Sequence, residues 1–167
     1  MEKLDNILVC MDLTEMDDFL LNYAGYLVTR IKARKIYFLH LLQSYDLPRE
    51  VLSEFPDMQK PITKIIQEEL EEKVSTSFPH QEHVEIEVTV LEGVKSDKLL
   101  QFTRDHKINL TLFGKKVGYL GRGSLARRTM PLTPSSILLV SETVTPKIDK
   151  ILVRIDFSKM SEIAMKT

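Results

Sequence analysis

Residues 7–11, Ile-Leu-Val-Cys-Met, form an unbroken apolar run that is β-branched at its start, the pattern of a strand buried on both faces. Asp12 closes the run. Thr14 is then placed to cap a helix in which Phe19, Leu20, Tyr23, Ala24, Leu27 and Ile31 recur at helical spacing. Residues 36–42 read as a second buried strand. A loop with Pro48, Pro56 and Pro61 follows, then a helix carrying Ile62, Ile65, Ile66, Leu70 and Val74 on one face. The third strand has a different pattern: Val84, Ile86, Val88 and Val90 alternate with Glu85, Glu87 and Thr89, so one face is wet and a place at a sheet edge is expected. Gly93 turns the chain, and Ser96 is placed to cap a helix through Leu99, Leu100 and Thr103. Residues 110–113 form a fourth strand, a glycine-rich loop and a short helix from Ser124 come next, and residues 137–140 are a fifth strand. Strands alternating with helices predict an α/β domain with a parallel sheet and right-handed crossovers.

The beginning of the chain returns near its end. Asn6-Ile-Leu-Val-Cys-Met-Asp-Leu-Thr-Glu-Met16 reappears 144 positions later as Lys150-Ile-Leu-Val-Arg-Ile-Asp-Phe-Ser-Lys-Met160, identical at five of eleven positions. A displacement of one domain length reads as a tandem duplication, not a solenoid repeat. The expected organisation is a domain over residues 1–142, a linker over 143–149 containing Thr143-Val-Thr-Pro146, and the truncated start of a second, homologous domain over 150–167. One strand and part of a helix bury no core of their own, so this last segment is expected to be disordered, to dock on the first domain, or to pair with another chain.

Composition narrows the chemistry. Twenty-three basic and 24 acidic residues leave a net charge of −1, which argues against a globally basic nucleic-acid binder. No apolar run approaches membrane-spanning length, no secretory signal opens the chain, and the single cysteine, Cys10, makes no internal disulfide. A cytoplasmic location is the expectation. Locally the charge is uneven: between Asp105 and Glu142 there is no acid, while Lys107, Lys115, Lys116, Arg122, Arg127 and Arg128 are basic. The same stretch holds Gly114, Gly118, Gly121 and Gly123, four of the six glycines. Glycines admit close backbone approach to phosphate, and Gly123-Ser124 at a helix start directs free N–H groups at an anion. Asp12 stands at the end of the first strand and Gly114 just after the fourth, where ligands sit in doubly wound folds. Asp12 reads either as a turn residue or as an acceptor for a base or ribose donor. His40, inside an apolar strand, reads as a satisfied core histidine, and Cys10 as a small buried hydrophobe. No P-loop, nucleophile elbow or zinc-ligand spacing occurs, so no catalytic residue and no metal ligand is assigned.

In their order and spacing, the first strand with Asp12, the loop opened by Gly114, Gly123-Ser124 and Pro134 before the last strand resemble the universal stress protein family. The resemblance covers residues 4–141, including His40-Leu-Leu and Gly93, and residues 150–167 look like the start of another such domain. It implies a five-stranded parallel sheet in the order 3-2-1-4-5 with helices on both faces, an arrangement similar to the adenine nucleotide alpha hydrolases. Nucleotide-binding members hold phosphates with a Gly-x2-Gly-x9-Gly-Ser/Thr loop. Here Val117 stands where the second glycine belongs, Gly118 lies one residue late, and Gly123-Ser124 comes four residues early. The resemblance also implies pairing of last strands across a twofold axis. Residues Ile137, Leu138, Leu139 and Val140, apolar on both faces at a sheet edge, are therefore expected to form a homodimer.

The expected function is a non-catalytic, stress-response regulatory domain binding ATP or AMP, with no cofactor required for folding. Asp12 would contact base or ribose; Gly114, Gly118, Gly121, Gly123 and Ser124 would hold phosphates, with Gly93 lining the same cleft. The alternative is a nucleotide-free dimeric interaction module of the same family. A nucleotide hydrolase needs a metal-binding carboxylate, which the glycine loop does not offer, and a phosphorelay receiver needs paired acids where only Asp12 stands.

Overall fold

The computed structural model describes residues 4–43, 62–79, 82–116, 125–159 and 161–162. The proline-bearing loop, Gly118, Gly121, Gly123 and Ser124 lie outside the described residues. Strands β1 (Asn6–Met11), β2 (Lys35–Leu42), β3 (Glu85–Glu92), β4 (Leu110–Lys115) and β5 (Ser136–Ser141) alternate with helices α1 (Met16–Arg30), α2 (Ile62–Ser77), α3 (Lys95–Asp105) and α4 (Leu125–Thr129). All strand pairs are parallel and the order is β3-β2-β1-β4-β5, as the family resemblance implied.

The period-two alternation of a strand divides the interior into two cores. Ile7, Val9 and Met11 of β1, with Ile36 and Phe38 of β2, pack under Leu20, Leu21, Ala24 and Val28 of α1 and Leu70 and Val74 of α2. Leu8, Tyr37, Leu39 and Leu41 point to the other face, against Leu99 and Phe102 of α3 and Ala126 of α4. Because β1 lies between two neighbours and under both helical layers, Ile7, Leu8 and Val9 are fully buried, which is why its sequence is continuously apolar.

The two margins of the sheet differ. On β3, Glu85 and Glu87 both pair with Lys35 of β2, at 2.5 and 2.8 Å. On β5, Leu139 is 43% exposed, and Met130 and Leu132 of the preceding turn are also exposed. Charge blunts one edge and apolar surface marks the other.

Of the two expected helix caps, Thr14 makes its capping hydrogen bond and Ser96 is corrected. The residue preceding α1 is Glu15, without a side-chain cap; Thr14 lies one position earlier, its Oγ1 accepting the Met16 N–H at 3.2 Å. The residue preceding α3 is Val94, and Ser96 lies inside the helix. Glu15 already has helical dihedrals and the Asp17 N–H donates to the Thr14 carbonyl, so the start of α1 differs from the expectation by one residue only. Helix α1 also stops at Arg30, before Ile31, and Phe19, Ile62 and Ile65 are exposed where the periodicity places them on buried faces.

Beyond β5 the chain stays attached to the domain for a few residues. Val144 packs against the larger core and the Ile148 N–H donates to the Tyr26 hydroxyl at 3.1 Å. From residue 150 it leaves the surface: Ile151, Leu152 and Phe157 are 80, 98 and 98% exposed, and residues 151–156 form no strand.

Candidate functional site

The site begins where β1 ends. Asp12 Oδ1 accepts the Thr14 N–H at 3.1 Å and the Thr14 hydroxyl, a local turn that an aspartate two residues ahead of a threonine favours. Leu13, at the centre of that turn, takes the left-handed conformation with φ 59°. The chain then enters α1, whose first turn supplies Asp17. Its carboxylate is 0% exposed and receives two backbone donors, Asp12 N–H on Oδ1 at 3.0 Å and Leu13 N–H on Oδ2 at 2.9 Å. Burial pushes the Asp17 carboxyl up to about 6; the Asp12 N–H opposes the shift, the Asp12 charge adds to it, and Lys73 and the Leu13 N–H oppose it.

A cleft of about 360 Å³ opens at this end of the sheet, lined by Asp12, Met16, His40, Lys95, Phe113, Gly114 and Lys116 among others. Asp12 and Gly114 come together because β1 and β4 are neighbours, paired as far as Cys10 and Phe113. Gly114 also has a packing role: a Cβ there would collide with Met16 Cγ and stand 3.3 Å from its sulfur. The absence of a side chain lets α1 settle onto the end of β4, and that contact forms part of the cleft wall.

His40 is buried, and its Nδ1 lies 3.1 Å from the Met11 carbonyl, so the shared proton belongs to Nδ1 and Nε2 is left as an acceptor. Burial pulls the ring below the ordinary histidine range, against the Met11 carbonyl, which raises it. The core-histidine reading therefore holds, with the addition that His40 lines the cleft. Cys10 is only half-buried and also lines it, which corrects its reading as a small buried hydrophobe; burial nonetheless pushes its thiol up.

A second hollow adjoins the first through Lys95 and is lined by Gln43, Gly93, Val94, Ser96 and Arg128. Gly93 has φ +132°, a conformation that side chains rarely adopt, and its N–H donates to the Leu42 carbonyl at 3.0 Å. Lys95, Lys116 and Arg128 make this surface receptive to anions.

Of the residues singled out from the sequence, Asp12 and Gly114 share one cleft and Gly93 borders its extension. Gly118, Gly121, Gly123 and Ser124 lie outside the described residues. Asp17, Lys95 and the cleft-facing role of His40 escaped sequence reasoning. A signal for Asp17 exists: it precedes Leu20, Leu21 and Ala24 on the buried face of α1, so the helix presents an acid where its period calls for an apolar residue. Among the described residues no group of three metal-capable side chains forms, and no helix is long and apolar enough to cross a membrane.

Solved structures share this architecture. A universal stress protein UspA from Lactobacillus plantarum is 19% identical with a TM-score of 0.58, the match covering 84% of this chain and 99% of that one. A universal stress protein in complex with cAMP is 18% identical with a TM-score of 0.57, over 81% and 96% of the two chains. One from Archaeoglobus fulgidus is 15% identical with a TM-score of 0.54, over 83% of this chain and 44% of that one. No protein with a curated description matches. Residues 3–141 match the model of the universal stress protein family, which spans the whole sheet and both margins of the cleft, and the chain belongs to that family.

Proposed function

We propose that this chain is a non-catalytic regulatory domain that binds an adenine nucleotide, ATP or AMP, at the C-terminal ends of β1 and β4. The observation that carries the reading is the single cleft onto which the Asp12 carboxylate, Gly114 and two lysines open. Asp12 engages Oδ1 with Thr14, which leaves Oδ2 for a ribose or base donor. Lys95, Lys116 and Arg128 supply the positive charge that phosphates require. Gly93 and Gly114, with Gly118, Gly121, Gly123 and Ser124, would bring backbone N–H groups to the same anion. The relative solved with cAMP supports an adenine ligand. Titration with a fluorescent ATP analogue tests the reading. Saturable binding is expected, weakened about tenfold by Asp12→Ala through loss of a charged hydrogen bond and lost in Gly123→Val. No saturation below millimolar concentration removes it.

The second reading, an interaction module with an empty cleft, is favoured by the early position of Gly123-Ser124, which shortens the loop by four residues relative to the family pattern. Mass spectrometry of the small molecules released from freshly purified protein separates the two: bound adenine supports the first, its absence the second. Both readings share a homodimer through β5, supported by the exposure of Leu139 at an apolar margin. Sedimentation should give a dimer that Leu139→Glu converts to a monomer. Residues 150–167 would be the truncated start of a second, homologous domain. The support is local geometry: Asp156 Oδ1 accepts the Ser158 N–H at 2.9 Å and Phe157 has φ 60°, as at Asp12 and Leu13.

A further inference from the structure

The turn that carries Asp12 is locally self-sufficient. Its counterpart at Asp156-Phe157-Ser158 takes the same shape on an exposed segment, with the same aspartate-to-amide bond and the same left-handed central residue. What the first copy adds is a tether. Asp17 sits five residues beyond Asp12 and spends both oxygens on the amides of Asp12 and Leu13. At the equivalent position of the second copy stands Ser161, whose hydroxyl donates to the Ser158 carbonyl at 2.9 Å instead. The tether's other end is anchored: Asp17 follows Met16, which is wedged beneath Gly114 at the end of β4.

We propose that Asp17 is a positioning residue of the cleft: by holding the amides of Asp12 and Leu13 it fixes where the Asp12 carboxylate stands relative to a bound nucleotide. The proposal rests on the nucleotide reading and deepens it, since Asp17 itself does not line the cleft.

A consequence is a pH-dependent affinity. Burial pushes the Asp17 carboxyl up to about 6, so mild acid protonates it. A protonated carboxyl loses acceptor capacity, and one of the two amides is then poorly served. The charges facing Asp17 are Asp12 from the end of β1 and Lys73 from α2, the latter paired with Asp18 at 3.1 Å. Glu15, Lys116 and Glu142 line the hollow beside this turn, and His40 of β2 lines the cleft together with Asp12.

The test uses the whole chain and the fluorescent ATP analogue, titrated from about pH 7.5 to about pH 5 with wild type and Asp17→Ser. The ligand's own phosphate ionisation is common to both proteins. Wild-type affinity is expected to fall about tenfold more than that of the variant, the worth of one charged hydrogen bond. Parallel profiles overturn the proposal. In the unliganded wild type, the amide resonances of Asp12 and Leu13 and the side-chain carboxyl carbon of Asp12 should share an inflection near pH 6, absent in Asp17→Asn. Flat amide resonances overturn it as well. If neither protein binds nucleotide at any pH, the nucleotide reading fails, and the shared inflection or its absence decides the role of Asp17. The same titration decides if the variants do not fold.

Discussion

The chain contains one short motif twice, in opposite surroundings. At Asn6–Met11 the strand lies in the middle of a sheet with Ile7, Leu8 and Val9 fully buried, while in the second copy Ile151, Leu152 and Phe157 protrude into solvent. The Asp-Leu-Thr and Asp-Phe-Ser turns nevertheless have the same hydrogen bond and the same backbone conformation. The turn is thus written into three residues, whereas the strand before it requires partners. An Asx bond is local, and a β-strand has no hydrogen bonds of its own until a neighbour supplies them.

The sharpest way to break this comparison is to truncate matched residues. Leu8→Ala is expected to cost about 2–5 kcal/mol in urea unfolding, because Leu8 is fully enclosed. Its counterpart Leu152→Ala, at 98% exposure, should stay within about 0.5 kcal/mol. A comparable loss at Leu152 would show that the second strand is packed in solution. Next, Gly114→Ala should cost about 1–3 kcal/mol by overpacking against Met16, and Met16→Ala should recover part of it in the double variant. No recovery would mean that the helix is not seated by that contact.

Asp17 gives a smaller effect with a defined sign. Its native pKa lies above that of the unfolded chain, so its contribution to stability is fully present below about pH 4 and is lost as pH rises through about 6. Wild type compared with Asp17→Ser should therefore gain relative stability on acidification. Nucleotide affinity is expected to move the other way, which separates positioning from a general loss of folding. The smallest effects are at the turn centres. Phe157→Gly relieves a left-handed φ without removing packing and should slow amide exchange at Ser158; Leu13→Gly also strips a residue packed on the core, so its net change should lie within about 1 kcal/mol.

The same logic separates what was legible in the sequence from what was not. The strands were readable because burial on one face or two leaves a direct imprint, continuous in β1 and alternating in β3, whereas their order was implied by the family resemblance and only the edge position of β3 was visible in the residues. Asp12 and Gly114 were readable as neighbours because they stand at the tips of adjacent strands. The cap of α3 was misplaced because where the helix begins is set by how it seats on the sheet, a tertiary matter that Ser96 does not encode. Asp17 was missed because an acid in the first turn of a helix ordinarily complements the helix dipole from the surface. Only the enclosure provided by the assembled turn makes it a buried carboxylate. The recurrence at residue 150 was visible at once, but whether that segment forms a strand depends on what stands beside it.

The unequal margins of the sheet set a limit on assembly. If two copies meet along β5, the adhesive border of each is consumed, and what remains outward is the β3 margin, where Glu85 and Glu87 pair with Lys35 of β2. A third copy would have to strip water from those ion pairs to join, with no greasy surface to repay it. Growth would therefore terminate at two, and fibre formation along the sheet would be discouraged by the same three side chains.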